Sequence, residues 1–271
     1  MRTGEQNSAG QPHLGAGGLL SGLSRPEVAA FEAIQVTTTY PSGAVLFVEG
    51  EVPRGVFVLL SGRAKLLIGS SSGKIMILRI AKPGEILGLH AVVSKAVFQA
   101  TAQTLERCRV SFVRGDEFLR FLREHPKASL EAARQLSASY QEACDQLRAI
   151  GLCDSARQRV ARFVLEWAEN GQKRADGILT TLTLTHEEIG QLIGTSRETI
   201  TRAFGDFRAR RWILTHGSKL VVQNKKALQA LAGRDAYSSW SSESAYAEAG
   251  SGTGAFMSPH ESAQVSQNQP W

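Results

Sequence analysis

Between Thr185 and Arg202 the chain reads T-H-E-E-I-G-Q-L-I-G-T-S-R-E-T-I-T-R, and that order leaves few folding options. Thr185 with Glu188 three residues later is a capping box, in which side chains satisfy the free N–H groups of a helix start. Ile189, Leu192 and Ile193 then recur at helical spacing and mark one buried face. Gly194 suits the left-handed residue that ends a helix. Thr195 with Glu198 reads as a second capping box, and Ile200, Ala203, Phe204 and Phe207 give the second helix its core face. Ser196, Arg197, Glu198, Thr201 and Arg202 are left mainly on its open face or first turn. This is a helix-turn-helix with charged side chains at the front of the second helix. Arg can grip guanine O6 and N7 with two hydrogen bonds, and Glu can accept from cytosine N4. The first N–H groups, with the Thr195 or Ser196 hydroxyl, suit a backbone phosphate. A merely solvated helix face could carry the same charges, so the residues that follow decide.

Arg208, Arg210 and Arg211 come next, then Trp212-Ile213-Leu214, His216-Gly217-Ser218 and Leu220-Val221-Val222. Two short apolar strands around a glycine turn form a hairpin, or wing. Trp212 is expected in the wing core rather than stacked on a base. The charge distribution agrees: of the net +6, residues 154–234 hold 14 basic against 8 acidic side chains, whereas 235–271 hold four acidic and no Lys or Arg. A basic module of this kind is the electrostatic footprint of a polyanion reader, here double-stranded DNA.

The 271 residues suffice for one large or two modest domains. No apolar run approaches the length of a membrane span, and the N-terminus lacks the plan of a signal peptide. Three cysteines do not make a disulfide scaffold. A reduced, soluble, cytoplasmic protein without membrane partners is expected. No metal-ligand spacing, nucleophile elbow or phosphate loop is present, which speaks against an enzyme.

The chain is expected to be α+β. Residues 1–22 are rich in Gly, Ser and Gln and read as disordered. Over 23–125, short apolar runs alternate with glycine turns (Val45–Val48, Val56–Leu60, Ala64–Ile68, Ile75–Ile80), the pattern of a β-barrel or sandwich, flanked by helical segments near Pro26–Ile34 and Asp116–Glu124. Residues 126–152 form one long helical pattern. Ala133, Tyr140 and Leu147 recur every seven residues, as do Leu136, Ala143 and Ile150, a spacing that suits a paired helix or an intramolecular core; its place between two domains, one of them a reader of palindromes, favours a homodimer. A further helix over Asp154–Ala168, with Val160, Phe163, Val164 and Trp167 inward, opens the DNA-binding module of 153–234, and Cys153–Asp154 is the expected hinge. Residues 235–271, with Trp240, Tyr246 and Trp271, read as a flexible tail.

The order of β-roll, long helix and winged helix-turn-helix resembles the Crp/Fnr family of bacterial transcription regulators. The resemblance covers roughly Leu23 to Arg234. It rests on F-V-E-G-E, V-F-V-L-L-S-G-R-A-K-L and P-G-E-I-L-G in the roll and on E-I-G-Q-L-I-G-T-S-R-E-T-I-T-R in the second module. It implies that the first module is a cyclic-nucleotide-binding-like roll and that Arg197, Glu198 and Arg202 read TGTGA-like half-sites in an inverted repeat, about one DNA turn apart. It also implies contact with RNA polymerase through the loop Asn170–Gly177, and a small-molecule effector in a pocket around Gly88, Leu89, Phe98, Gln99 and Cys144. Two familiar effectors are not expected. Leu89 stands where the cyclic-AMP branch carries a ribose-binding Glu, and Phe98-Gln99 where it carries an Arg and a hydroxyl for the cyclic phosphate. Ala143 and Cys144 replace the hydroxyls offered to the base. Burying a phosphate without its cation is costly. The stretch after Gly88 looks more like the oxygen-sensing branch, yet residues 1–50 hold no Cys, the internal ligand position holds Ser111 with Cys108 close by, and Cys108, Cys144 and Cys153 cannot supply the four ligands of an iron–sulfur cluster within one chain. No cofactor is therefore expected and the effector stays open.

Other readings remain. His90 could ligate haem, Cys144 could be a redox switch or a small buried hydrophobe, and Arg63, Lys65, Lys74 and Arg79 form a solvated strand face or meet an anionic effector. An interaction module that kept the fold without DNA binding is the alternative function.

Overall fold

The computed structural model describes residues 22–151 and 155–233. The expected disordered N-terminus, the Cys153–Asp154 hinge and the tail from 235 lie outside the described residues. Among those described, no helix is long and apolar enough to cross a membrane.

The first module is a roll of two four-stranded antiparallel sheets. One contains, in spatial order, β1 (Gln35–Tyr40), β8 (Cys108–Arg114), β3 (Gly55–Ser61) and β6 (Ile86–Leu87). The other contains β2 (Val45–Phe47), β7 (Thr101–Thr104), β4 (Ala64–Gly69) and β5 (Ile75–Ala81). The four apolar runs singled out in the sequence are β2 to β5. The remaining strands carry weaker patterns for physical reasons. β1 is an edge strand, mostly exposed along its length, and has no need of an apolar face. β7 buries Thr104, whose hydroxyl donates to Pro41 O (2.7 Å) and accepts from Ala44 N (2.9 Å). β8 buries Ser111, which shares a 2.7 Å hydrogen bond with Thr37 of β1. Such satisfied hydroxyls fill core positions without registering as hydrophobic.

Helices close the roll. α1 (Arg25–Ala33) starts at Ser24, which forms a capping box with Glu27. α2 (Leu89–Ser94) follows β6, and α3 (Gly115–Glu124) follows β8. Phe31 of α1 meets Phe121 of α3 edge-on at 5.2 Å, above a core of Val56, Val58, Val113 and Phe118. α4 (Pro126–Gly151) is one uninterrupted helix. Its first turns pack on the roll through Ala128, Ala132 and Leu136.

The second module begins with α5 (Ala156–Trp167), capped by Ser155 with Gln158. A four-stranded sheet orders β11 (Ile213–His216), β12 (Lys219–Val222), β10 (Gly177–Thr181) and β9 (Gln172–Arg174). The exposed stretch Asn170–Gly177 is thus largely a β9–β10 hairpin rather than a plain turn. α6 (His186–Ile193), α7 (Arg197–Ala209) and α8 (Lys225–Ala232) complete it around Val160, Val164, Ile189, Ile200, Phe204 and Phe207.

Phe118 is fully buried in the roll core. Phe118→Ala should therefore lower stability by about 3–5 kcal/mol, read as a fall in the urea midpoint with little change in slope.

Candidate nucleic-acid interface

α6 begins as its capping box requires: Glu188 N donates to Thr185 Oγ1 (3.2 Å) and Thr185 N donates to Glu188 Oε2 (2.9 Å). Burial alone would raise the Glu188 carboxyl, but hydrogen bonds from Lys65 and Thr185 outweigh it and hold the group below its usual range. α6 ends at Gly194, which is left-handed (φ 68°). Gly190 has a different task, because a Cβ there would lie 2.7 Å from Thr195 O. Only glycine lets the turn fold back so closely on α6.

The start of α7 differs from the sequence expectation. The cap is Ser196, whose hydroxyl accepts from Thr199 N at 3.2 Å, and not Thr195 with Glu198. Thr195 N donates backwards to Gly190 O (2.9 Å), so that residue is still closing the turn. The next residue is the first one free to cap.

The two faces of α7 separate as its periodicity requires. Ile200, Ala203, Phe204 and Phe207 are buried, whereas Ser196, Arg197, Glu198, Thr201 and Arg202 are exposed and Thr195 is half-buried. The Glu198 carboxylate is held below its usual range by its own N–H, then by the Ser196 hydroxyl, with Arg197 and Arg202 adding their charge. A cation–anion–cation row thus stands on one open helix face.

Several residues that support this face were not evident in the sequence. Arg159 of α5 donates from Nε to Ile193 O (2.9 Å) and from Nη2 to Gly194 O (3.2 Å), placing a cation on the last carbonyls of α6. Asp206 of α7 pairs with Arg157 of α5 and with Arg210 (2.8 Å), which hold its carboxyl low, Arg210 most strongly. His186, at the first turn of α6, meets Thr201 Oγ1 at 3.0 Å. That hydroxyl already donates to Arg197 O (2.9 Å), so His186 Nδ1–H must be the donor. Burial, then the charges of Arg208 and Arg197, lower the His186 pKa below its ordinary 6.5. A solitary His two residues before Glu188 offered no sequence signal for this role.

The wing pairs Ile213 with Val222 through His216 with Lys219, and β10 pairs with the other edge of β12. Trp212 packs on Phe207 at 5.5 Å with Arg210 above it, the expected core position.

The residues expected around an effector are only partly brought together. Phe98 is buried, stacked on Phe47 at 4.0 Å, and its Cε1 lies 2.7 Å from where a Cβ on Gly88 would be. Leu89 is buried in the other roll core, beside Phe31 and Val56. Gln99 is exposed, and Cys144 is half-buried on α4 beside the Tyr140 hydroxyl. An open groove of about 350 Å³ lies instead along Val48, Glu49, Leu67, Ile68, Ile75 and Thr101. Three of the four roll cations do not form a solvated face. Arg63 pairs with Glu106, Lys65 with Glu188, and Arg79 with Glu85 and Glu142. Cys108 is buried, and burial pushes its thiol up.

On α4, Tyr140 and Leu147 are 73% and 72% exposed, and Ala133 and Ala143 are exposed as well. Leu136 is not on that stripe but against the roll, and the Ile150 side chain lies outside the described residues. The exposed positions along this side are Leu130, Ala133, Ser137, Tyr140, Ala143 and Leu147, with Cys144 half-buried among them. Leu136 departs from the stripe because the roll takes up that side of the helix.

A winged helix-turn-helix behind a β-roll and a long helix defines a class of DNA-binding regulator. The comparisons agree. Residues 37–125 match the cyclic nucleotide-binding domain and 158–231 the Crp-like helix-turn-helix domain, together more than half of the chain. The CRP-like cAMP-activated global transcriptional regulator of Mycobacterium tuberculosis is 26% identical over 216 residues, 79% of this chain and 96% of that protein. The cAMP-activated global transcriptional regulator CRP of Pasteurella multocida is 25% identical over 186 residues, 68% of this chain and 88% of that one. Among solved structures, FixK2 from Bradyrhizobium japonicum shares the fold with a TM-score of 0.66 at 19% identity, over 75% of this chain and all of that one. A CooA mutant from Carboxydothermus hydrogenoformans gives 0.67 at 22% identity, over 82% and 99%. The chain belongs to the Crp/Fnr family of transcriptional regulators.

Two outcomes test this geometry. Ser196→Ala should cost about 1 kcal/mol of stability in urea unfolding, the value of an exposed N-cap. His186 binds its proton more weakly folded than unfolded, so it favours the folded state least at low pH. Stability should fall as pH drops below 6.5, and His186→Gln should flatten part of that slope.

Proposed function

We propose that this regulator acts as a homodimer that reads an inverted-repeat operator with TGTGA-like half-sites. The observation that carries the reading is the exposed row Arg197, Glu198 and Arg202 on a helix whose opposite face is buried. Arg197 and Arg202 have the reach and donors for guanine, and Glu198 is ionised and able to accept from cytosine N4. Thr195 and Ser196 flank them with hydroxyls suited to phosphate oxygens, and Thr201, whose proton goes to Arg197 O, stands beside them on the exposed face. The bare α4 stripe supports a parallel helix pair across a two-fold axis, which matches the symmetry of an inverted repeat. The β9–β10 hairpin, with Lys173 and Arg174 exposed, is the surface offered to RNA polymerase. The protein works by binding in the cytoplasm and not by turnover.

Its effector differs from that of the cAMP-activated relatives. The position that would face a cyclic phosphate holds Phe98, buried against Phe47 and Gly88, and the ribose position holds buried Leu89. A nucleotide there would displace an aromatic stack and meet no cation. Three cysteines fall short of the four thiolates of an iron–sulfur centre, and Cys108 is buried with its thiol on Arg63 O and Glu106 O.

Selection from a random DNA pool by the purified protein should return an inverted repeat. Arg197→Ala should weaken binding by about 1–3 kcal/mol and relax preference at one G·C pair in each half-site. An Arg197→Ala protein that keeps its full preference would overturn the readout assignment. Leu147→Glu should shift the protein from dimer to monomer in sedimentation, because like charges would face each other along the stripe.

A further inference from the structure

The Glu188 carboxylate serves two modules at once. Oε2 accepts from Thr185 N as the cap of α6, while Oε1 accepts from Lys65 Nζ of β4 at 2.7 Å. The two side chains are 14% and 19% exposed, so the pair is largely withdrawn from water. At the other end of α6, Gln146 of α4 donates from Nε2 to Leu192 O and to Ile77 O of β5, each at 3.0 Å. Leu192 O belongs to the last turn of α6, where carbonyls have no partner within the helix. One amide thus ties α4, the roll and the helix-turn-helix together. Between these two ties, Ile80 and Leu105 of the roll pack against the core of the second module, and Arg63 lies over the Trp167 ring at 4.9 Å.

α6 is therefore held at both ends, from its cap by Lys65 and from its last turn by Gln146. α7 packs on α6, so whatever fixes α6 relative to α4 also fixes the recognition face relative to α4. In a dimer paired along α4, that relation sets how far apart the two recognition faces stand. A dimer reader accepts half-sites only at the separation its two helices present.

We propose that Lys65 and Gln146 are positioning residues for operator recognition, which lock α6 to the roll and to α4 and thereby select the spacing between half-sites. The proposal rests on the homodimer reading above. Neither residue touches DNA in this account. They act through α6, and their removal should change which spacings are accepted without changing which bases are read.

The test uses the full-length protein and duplexes carrying the half-site recovered by selection, with the spacer altered one base pair at a time. Lys65→Met keeps the aliphatic stem and removes the charge, Gln146→Leu keeps the length and removes both donors, and Lys65→Arg preserves the cation. The natural protein should favour one spacer about tenfold over its neighbours. Lys65→Met and Gln146→Leu should bring neighbouring spacers within about threefold of the best one, with discrimination against a scrambled half-site unchanged. Lys65→Arg should restore the sharp profile. The inference is overturned if both variants keep the natural spacer profile, if they lose half-site discrimination in parallel, or if they bind every spacer more tightly with the profile intact. If the natural protein itself shows no preference for an inverted repeat, the homodimer reading has failed and the inference falls with it. A natural protein with a sharp profile that the variants share leaves the homodimer reading standing and removes only the role of Lys65 and Gln146.

Discussion

Helices of eight and thirteen residues, the lengths of α6 and α7, are not stable alone in water. The recognition face exists because the opposite faces of both helices are buried. Ile189, Ile200, Phe204 and Phe207 share one core with Val160 and Val164 of α5, with Leu220 of the wing and with Leu228 of α8. Burial of this kind supplies most of the stability of such a unit. It leaves Arg197, Glu198 and Arg202 on the exposed face of α7. The polar ties then fix orientation: Arg159 on the end of α6, and Arg157 with Arg210 on Asp206. Remove the core and neither the turn nor the row of Arg197, Glu198 and Arg202 has a geometry.

The roll follows a different logic. Its interior is filled by its own side chains. Phe47, Phe57 and Phe98 form a cluster of rings, with Phe98 against Gly88. Aromatic packing of this kind orders the strands on which the rings stand. Arg79 and Lys65 are paired as well. Arg79 lies between Glu85 and Glu142 where β5 meets α4, and Lys65 reaches across to α6. A change in the roll is therefore connected to the helix-turn-helix through specific polar contacts as well as through apolar packing.

Much of this was legible from residue order. The capping box at Thr185, the αL glycine at 194, the buried and open faces of α7, the wing around Gly217 and the unbroken α4 all rest on interactions between residues near in sequence. What escaped the sequence has a common cause. The cap of α7 moved to Ser196 because Thr195 N is spent on Gly190 O, a choice made by the turn as a whole. β1, β7 and β8 lacked a clear pattern because an exposed edge and satisfied hydroxyls replace apolar residues there. His186, Arg159, Gln146 and Lys65 look like ordinary polar residues until a distant partner is known.

The sequence by itself determined the long helices and the apolar strands, which face of each is apolar, and which charged types stand at the start of the second helix of the motif. These depend on periodicity and on short-range hydrogen bonds, and both can be counted along the chain. Only the tertiary structure decided that Leu136 faces the roll while Leu130, Tyr140 and Leu147 stay bare, that Phe98 fills its pocket, and that Glu188 answers to Lys65 as well as to its own helix. Those outcomes depend on residues distant in sequence meeting in space, as Lys65 and Glu188 do across 123 positions. No local pattern encodes which of several equivalent polar side chains will find such a partner, because the cost of leaving a buried group unpaired is settled only once the modules have packed.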